Sequence, residues 1–226
     1  PSDQMPRIVL ASASPSRLRL LRMVGIEPEI MVSGVDEESE EYQSLSPSEL
    51  VVALAIVKAH TVANALIAEG PINQDVIVIG CDSTFEFEGQ SLGKPGTLER
   101  SIERSRLVQG RSGVLHTGHC LINLRQESNS SGDAMREYSD IASTRVHFAP
   151  MNESEIASYA ATGEPLNVAG GFTLDGLSAP FIRAIEGDWS NVIGLSLPLV
   201  KVAVDSFGYP WFEIATRANP HEMGSP

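Results

Sequence analysis

The chain has 226 residues, with 16 Lys and Arg against 29 Asp and Glu, a net charge of −13 with histidine neutral. That balance argues against a general binder of nucleic acid or of acidic membranes, because phosphate backbones need a basic face. A small phosphorylated ligand held by a local cluster and a cation stays open. Apolar residues at 42% and charged residues at 20% mark a globular chain, long enough to bury a core without disulfide or metal staples. Cys81 and Cys120 lie in apolar runs and read as free core thiols, so a reducing, cytoplasmic setting is expected. Residues 1–7 hold no long apolar stretch of the kind a signal peptide needs. No apolar run reaches about 18 residues, so no membrane span is expected.

Residues 7–11 form a short apolar run with β-branched Ile8 and Val9, the mark of a buried strand. Ser14 is a good helix N-cap, and Pro15 suits the first turn, where its missing N–H costs nothing. Leu18, Leu20, Leu21 and Val24 then line a helix face that Gly25 stops. Residues 29–32 suggest a second strand. The acidic run 36–41 that follows reads most plainly as a solvated loop. Ser46-Pro47-Ser48-Glu49 has the form of a capping box, and Leu50, Leu54, Val57 and Val62 extend a long helix towards Gly70.

Residues 76–80 are a continuous Val/Ile run, as in a strand buried on both faces; 84–88 continue or bend it, with Gly89 in a turn. Thr97 caps a helix to about Val108. Residues 113–124 and 138–148 read as the two strands of a hairpin with its loop at 127–133. Asn152 to Glu155 opens another helix, 170–176 is Gly-rich, 181–185 reads as a strand and 198–207 as a closing helix. Alternating elements with a central hairpin predict an α/β (α+β mixed) fold on a mixed sheet. No linker separates independent domains. The whole chain is expected to be one domain of two lobes, the hairpin half forming the second, with a cleft between.

Three segments carry candidate chemistry. In the strand-loop-helix from Leu10 to Arg17, the hydroxyls of Ser12, Ser14 and Ser16 meet a helix N-terminus, an anion site to which Arg17 and Arg19 add charge. The plain alternative is an ordinary N-cap with surface arginines. No Gly-x-x-x-x-Gly-Lys phosphate loop is present. In Gly80-Cys81-Asp82-Ser83, a carboxylate at the end of a buried strand is costly unless paired or bound to a cation, and strand ends in open α/β sheets collect ligands; a turn Asp is the alternative. Lys94-Pro95 is an isolated loop cation. The Gly170-Gly171 pair permits a close backbone approach or makes a bulge. His116-x-x-His119-Cys120 fails as a zinc site, since on a strand His116 and Cys120 face one way and His119 the other. A buried Cys120 or Cys81 thiol is inert as a nucleophile.

Together these segments resemble the Maf family of nucleoside triphosphate pyrophosphatases. The resemblance is carried by Leu10-Ala11-Ser12-Ala13-Ser14-Pro15-Ser16-Arg17, Leu20-Leu21, Gly25, Asp36-Glu37, Lys58, Gly80-Cys81-Asp82-Ser83 and Leu92-Gly93-Lys94-Pro95. Thr117-Gly118, Tyr159 with Gly163-Glu164-Pro165, Ala169-Gly170, Asp175-Gly176 and Asn191-Val192-Ile193-Gly194-Leu195 complete an ordered set over about residues 7–200.

The resemblance implies a bilobal α/β fold with a nucleotide in the cleft. It implies hydrolysis of a nucleoside triphosphate to monophosphate and pyrophosphate, aided by Mg²⁺ or Mn²⁺. Asp82 corresponds to the proton acceptor and Glu37 to an acidic residue near metal and water, so both are implied metal ligands. Ser12, Ser14, Arg17, Lys58 and Lys94 correspond to residues around the phosphates, with Lys94 in the catalytic set. Ser16, Ser83 and Asp175 depart from the usual residues at substrate-contacting positions, and Val168 replaces a common Lys, so base choice does not carry over. An ionised Asp175 accepts hydrogen bonds and would suit a base edge rich in donors. A homodimer and a link to septum formation in cell division are implied by likeness alone. A nucleotide-binding regulator with little hydrolysis, or a generic α/β binding domain, is the alternative function.

Overall fold

The computed structural model describes residues 5–37, 39–126 and 134–215. Its frame is a seven-stranded mixed sheet of order β2-β1-β3-β5-β6-β7, with β4 beside β3. The strands are β1 (Arg7–Leu10), β2 (Glu29–Ile30), β3 (Val76–Phe87), β4 (Gln90–Leu92), β5 (Ser112–Leu124), β6 (Met135–Phe148) and β7 (Ile182–Glu186). Around them lie α1 (Pro15–Met23), α2 (Pro47–Glu69), α3 (Leu98–Val108), α4 (Glu153–Ala161), α5 (Trp189–Ile193), α6 (Leu197–Ser206) and α7 (Trp211–Ile214). β1 pairs in parallel with β2 and β3, and β3, β5, β6 and β7 pair antiparallel in turn. The expected hairpin loop at 127–133 lies outside the described residues.

Three cores sit on this sheet. Alternation along β1, β3 and β5 sends Leu10, Ile77, Ile79, Cys81 and Leu121 to one face, under α1 and α6. Val9, Val78, Cys120 and Ile122 go to the other face, under α2. Further along the same long strands, Phe85, Phe87, Leu115, Phe148 and Phe172 make an aromatic core with α3. Phe85, Phe148 and Phe172 pack edge to face there, with centroids 4.9–5.7 Å apart.

The helix starts follow their sequence signals. Ser14 accepts from the Arg17 N–H, Ser46 with Glu49 forms a full capping box, Thr97 caps α3 and Asn152 caps α4. Of the two readings of 84–88, continuation holds: β3 is one strand, and Gly80 within it is a contact and not a break. A side chain there would strike the Ala55 carbonyl of α2 at 2.5 Å, and one at Gly118 would strike the Val51 carbonyl at 2.1 Å. These two glycines let α2 lie against the sheet.

By length and composition α2 is apolar enough to cross a membrane, against the expectation of no such segment. Its apolar side, from Val51 through Leu54, Ala55, Ala59 and Val62 to Leu66, is buried on β3 and β5, with Lys58 in the same row.

Candidate active site

The site forms where β3 loses its neighbour on one edge. The pairing of β1 with β3 ends at Leu10–Ile79, with one further bond from the Ala11 N–H to the Ile79 carbonyl. Pairing with β4 begins only at Phe85. Residues 80–84 are therefore hydrogen-bonded to β5 on one side and open on the other. Asp82 thus lies in mid-strand beside a gap, not at a strand end as the sequence implied. Strand alternation splits this opening: Asp82 faces the α2 side, and Ser83 faces the α1 side.

On the α2 side, Lys58 Nζ donates to Asp82 Oδ1 at 2.8 Å and meets Glu37 Oε1 at 2.6 Å. Asp82 and Lys58 are buried, whereas Glu37 is half exposed. Burial raises the Asp82 carboxyl above its ordinary value, and Lys58 only partly offsets this. Burial also works against the Glu37 charge, but the Lys58 hydrogen bond and charge, then Lys94 and Arg17, prevail and hold its carboxyl below the usual range. Lys94 is exposed, and its charge is felt at Glu37. The acidic run 36–41 is thus more than a solvated loop, since it delivers Glu37 to Lys58.

On the α1 side, Arg17 is the hub. It donates to the Gly194 carbonyl at 2.6 Å, to Ser12 Oγ at 3.1 Å, to the Cys81 carbonyl at 3.3 Å and to Ser83 Oγ at 3.0 Å. Ser83 in turn meets the Thr117 hydroxyl at 2.8 Å. Ser12 Oγ also accepts from the Ser14 N–H, which ties the loop to the helix it caps. Ser12, Ser14, Arg17 and Ser83 therefore converge beside the gap, with the N-terminus of α1 turned to it.

Two predicted residues stand apart from this cluster. Ser16 and Asp175 share Arg19, which donates to Ser16 Oγ at 3.0 Å and to Asp175 Oδ2 at 3.2 Å. Asp175 is thus the ion-pair partner of the exposed Arg19. Arg19 restores positive charge at the position where Ser16 carries none. The Gly-rich segment behind Asp175 is held by Glu164, whose Oε1 accepts from the Tyr159 hydroxyl at 3.0 Å, the Thr173 hydroxyl at 2.6 Å and the Leu177 N–H at 3.0 Å. Gly170 has φ +75°, and a side chain on it would strike Phe85 and Phe172 at 2.7 Å. Its freedom serves close packing of the segment on the aromatic core.

The histidines and thiols stand where strand alternation put them. His116 bonds Glu86 at 2.6 Å and Ser143 at 2.7 Å on the α2 face, while His119 is buried on the other. His119 Nε2 accepts from the Ser196 N–H at 2.8 Å and so anchors the start of α6; burial pushes its pKa down to about 4. Burial pushes the Cys81 thiol up to about 11 and Cys120 to about 12. Among the described residues no three His, Cys, Asp or Glu side chains group to hold a metal. Glu37 and Asp82 do offer two hard carboxylate donors spaced so that one ammonium touches an oxygen of each. That donor set fits Mg²⁺, which takes one or two carboxylates and completes its shell with water and phosphate oxygens.

The residue near the site that sequence reasoning did not single out is Arg104, whereas Arg19 was already placed beside Arg17 at the start of α1. Arg104 Nη1 donates to the Gly93 carbonyl at 2.9 Å, next to Lys94. Its only sequence signal was a cation without an acid four residues away on its helix.

Comparison with known proteins gives the family of the chain. The chain is 48% identical over 210 residues to a nucleoside triphosphate pyrophosphatase of Salinispora tropica, covering 92% of this chain and 88% of that one. It is 48% identical over 202 residues to a protein of the same name from Streptomyces coelicolor, covering 89% and 91%. A structure of a HAM1 protein from Coxiella burnetii covers 91% of this chain and 100% of that one at 14% identity, with a TM-score of 0.43, a likeness too slight to bear on the fold. The model of the Maf-like proteins matches residues 7–207, a span that takes in every element from β1 to α6 and all the residues gathered at the gap in β3, so the chain belongs to the Maf family.

Proposed function

We propose that this chain is a nucleoside triphosphate pyrophosphatase, a hydrolase that converts a nucleoside triphosphate and water to the monophosphate and pyrophosphate. The observation that carries the reading is the buried Asp82–Lys58 pair, joined by the half-exposed Glu37 at the open edge of β3, with Arg17 on the other side of the same gap. The names of its close relatives agree. Arg17, the hydroxyls of Ser12 and Ser14, and the α1 N-terminus hold phosphate oxygens on one side, and Lys94 holds them on the other. Asp82 takes a proton from the attacking water, and its raised affinity for protons suits that task. The water oxygen bonds to a phosphorus of the α,β-anhydride, the bridging P–O bond breaks, and pyrophosphate leaves towards the lysines. Lys58 fixes both carboxylates and keeps them from repelling the polyanion.

Glu37 and Asp82 would hold Mg²⁺ or Mn²⁺, which supplies further charge to the phosphate oxygens when bound. Arg19 and Asp175 flank the nucleoside end of the cleft and bias base choice. Two buried free thiols, Cys81 and Cys120, favour a reducing, cytoplasmic setting.

The test is a panel of canonical and modified nucleoside triphosphates, with products separated into pyrophosphate and orthophosphate. Equal yields of monophosphate and pyrophosphate from one or more members are expected. Tight binding across the panel with no turnover would instead make the chain a nucleotide-responsive regulator.

A further inference from the structure

The cations of this acidic chain differ in what they meet. Arg7, Arg22, Arg106, Arg111 and Lys201 each meet a carboxylate at the surface. Arg17, Arg104 and Arg136 are partly buried and hydrogen-bond backbone carbonyls instead, with no ion pair to a carboxylate among the described residues; Arg136 also donates to the Asn123 side chain, far from the lysine loop in sequence. For Arg17 the missing counter-charge is explained by the phosphate site. Arg104 has the same character one loop away.

Its surroundings sharpen the case. Burial weakens the Arg104 charge, and Arg100, one turn earlier on α3, repels it, so that its guanidinium is held below the ordinary value. The nearby Glu103 acts on Arg106, on another face of the helix. The Gly93 carbonyl takes one of the five N–H groups of Arg104. That carbonyl also accepts from the Gly170 N–H at 3.2 Å, so α3, the Lys94 loop and the Gly170–Gly171 turn meet at this point. A side chain on Gly171 would lie 2.9 Å from Pro95 and 3.9 Å from the Arg104 Cβ, which shows how closely the three segments pack. Arg104 therefore lies against the backbone next to Lys94, with Arg100 close enough to repel it, while Lys94 acts on Glu37. Neighbouring cations that repel each other, one of them partly buried with no carboxylate partner among the described residues, are stabilised by an anion.

We propose that Arg104, assisted by Arg100, is a second anion station behind Lys94 that takes the terminal phosphates of the bound triphosphate and then the departing pyrophosphate. This rests on the pyrophosphatase reading given above. Arg104 supplies the fork of donors that suits a phosphoryl group, whereas Lys94 supplies a point charge. Its bond to the Gly93 carbonyl also positions the Lys94 loop, so anion binding and loop placement are joined in one side chain.

The test is calorimetric titration of the full chain with pyrophosphate and, separately, with nucleoside monophosphate, alongside steady-state kinetics. Arg104→Met is expected to weaken pyrophosphate binding about 10-fold or more and to raise the KM for triphosphate similarly. Monophosphate binding stays as in the parent, and kcat changes less than about 3-fold. Arg104→Lys recovers part of the loss. Arg100→Gln, at an exposed position that leaves the fold intact, weakens pyrophosphate binding about 3-fold and flattens its salt dependence. Unchanged pyrophosphate affinity in folded Arg104→Met and in Arg100→Gln, or a fall in kcat alone, would overturn the proposal. If the parent hydrolyses no triphosphate yet loses pyrophosphate binding on Arg104→Met, the station stands and the pyrophosphatase reading fails. Normal hydrolysis with undiminished pyrophosphate binding by Arg104→Met gives the reverse.

Discussion

Replacing Lys58 by Met tests the electrostatics of the site without changing the shape of α2. The ammonium is buried between Asp82 at 2.8 Å and Glu37 at 2.6 Å. Its loss leaves the Asp82 carboxylate buried and unpaired, and breaking such a pair costs about 3–5 kcal/mol. The same figure follows from proton linkage. Holding a carboxyl protonated at pH 7, some three units above its unfolded value, costs about 4 kcal/mol. The sign is set by Asp82, whose affinity for protons is already raised in the folded chain and rises further without Lys58. Such a group favours the folded state below the unfolded pKa, and that contribution is lost as pH rises through the folded pKa. Glu37, held low in the parent, contributes in the opposite sense and loses that contribution in acid. Both effects close the gap between parent and variant at low pH. Urea unfolding should therefore show a deficit of about 4 kcal/mol at pH 7 that shrinks to roughly 1–2 kcal/mol at pH 5. Adding Asp82→Asn to the variant removes the stranded charge and should recover about 2 kcal/mol or more at pH 7. Equal deficits at both pH values, or no recovery in the double variant, would refute the reasoning.

Three further outcomes follow from other parts of the molecule. EDTA should abolish pyrophosphate release and added Mg²⁺ or Mn²⁺ should restore it, since two carboxylates alone hold the ion weakly; a rate unchanged in EDTA would reject the metal. Gly118→Ala places a methyl 2.1 Å from the Val51 carbonyl, so α2 must shift; thermal unfolding should show a loss of about 2 kcal/mol, with a raised KM because Lys58 moves too, and a parent-like melting curve would contradict this close approach. Tyr209→Phe removes the hydroxyl bonded to Asp75 Oδ2 at 2.5 Å and to the Asn123 amide, and should cost about 1–3 kcal/mol in urea unfolding with kcat unaffected; an unchanged midpoint would show that the contact is not a stabilising one.

Local signals carried the elements well. Caps at Ser14, Ser46, Thr97 and Asn152 opened helices where their side chains reach the third N–H, because capping is settled within four residues. Signals that depend on distant partners were weaker. Gly80 looked like a strand end because the packing of α2 on it is invisible along the chain. The two-residue β2 and the five-residue α5 are too short to show a period. For the site, hydroxyls, Arg17, Lys58 and Asp82 were legible as an ordered set of motifs. The gap beside β3 that gathers them was not, since it depends on where along β3 the pairing of β1 stops and that of β4 starts. The pairing of Asp175 with Arg19 was hidden because the two lie 156 residues apart. Arg104 escaped notice because its role depends on how the loop carrying Lys94 closes on α3 and on the Gly170 turn.

The most direct measurement compares pyrophosphate release from the preferred triphosphate by the parent and by Asp82→Asn, with circular dichroism on both. The parent should yield one pyrophosphate per monophosphate, and the folded variant should be slower by about 100-fold or more. Turnover by folded Asp82→Asn within a few-fold of the parent would contradict the assignment of the buried carboxylate at the open edge of β3 as the proton acceptor.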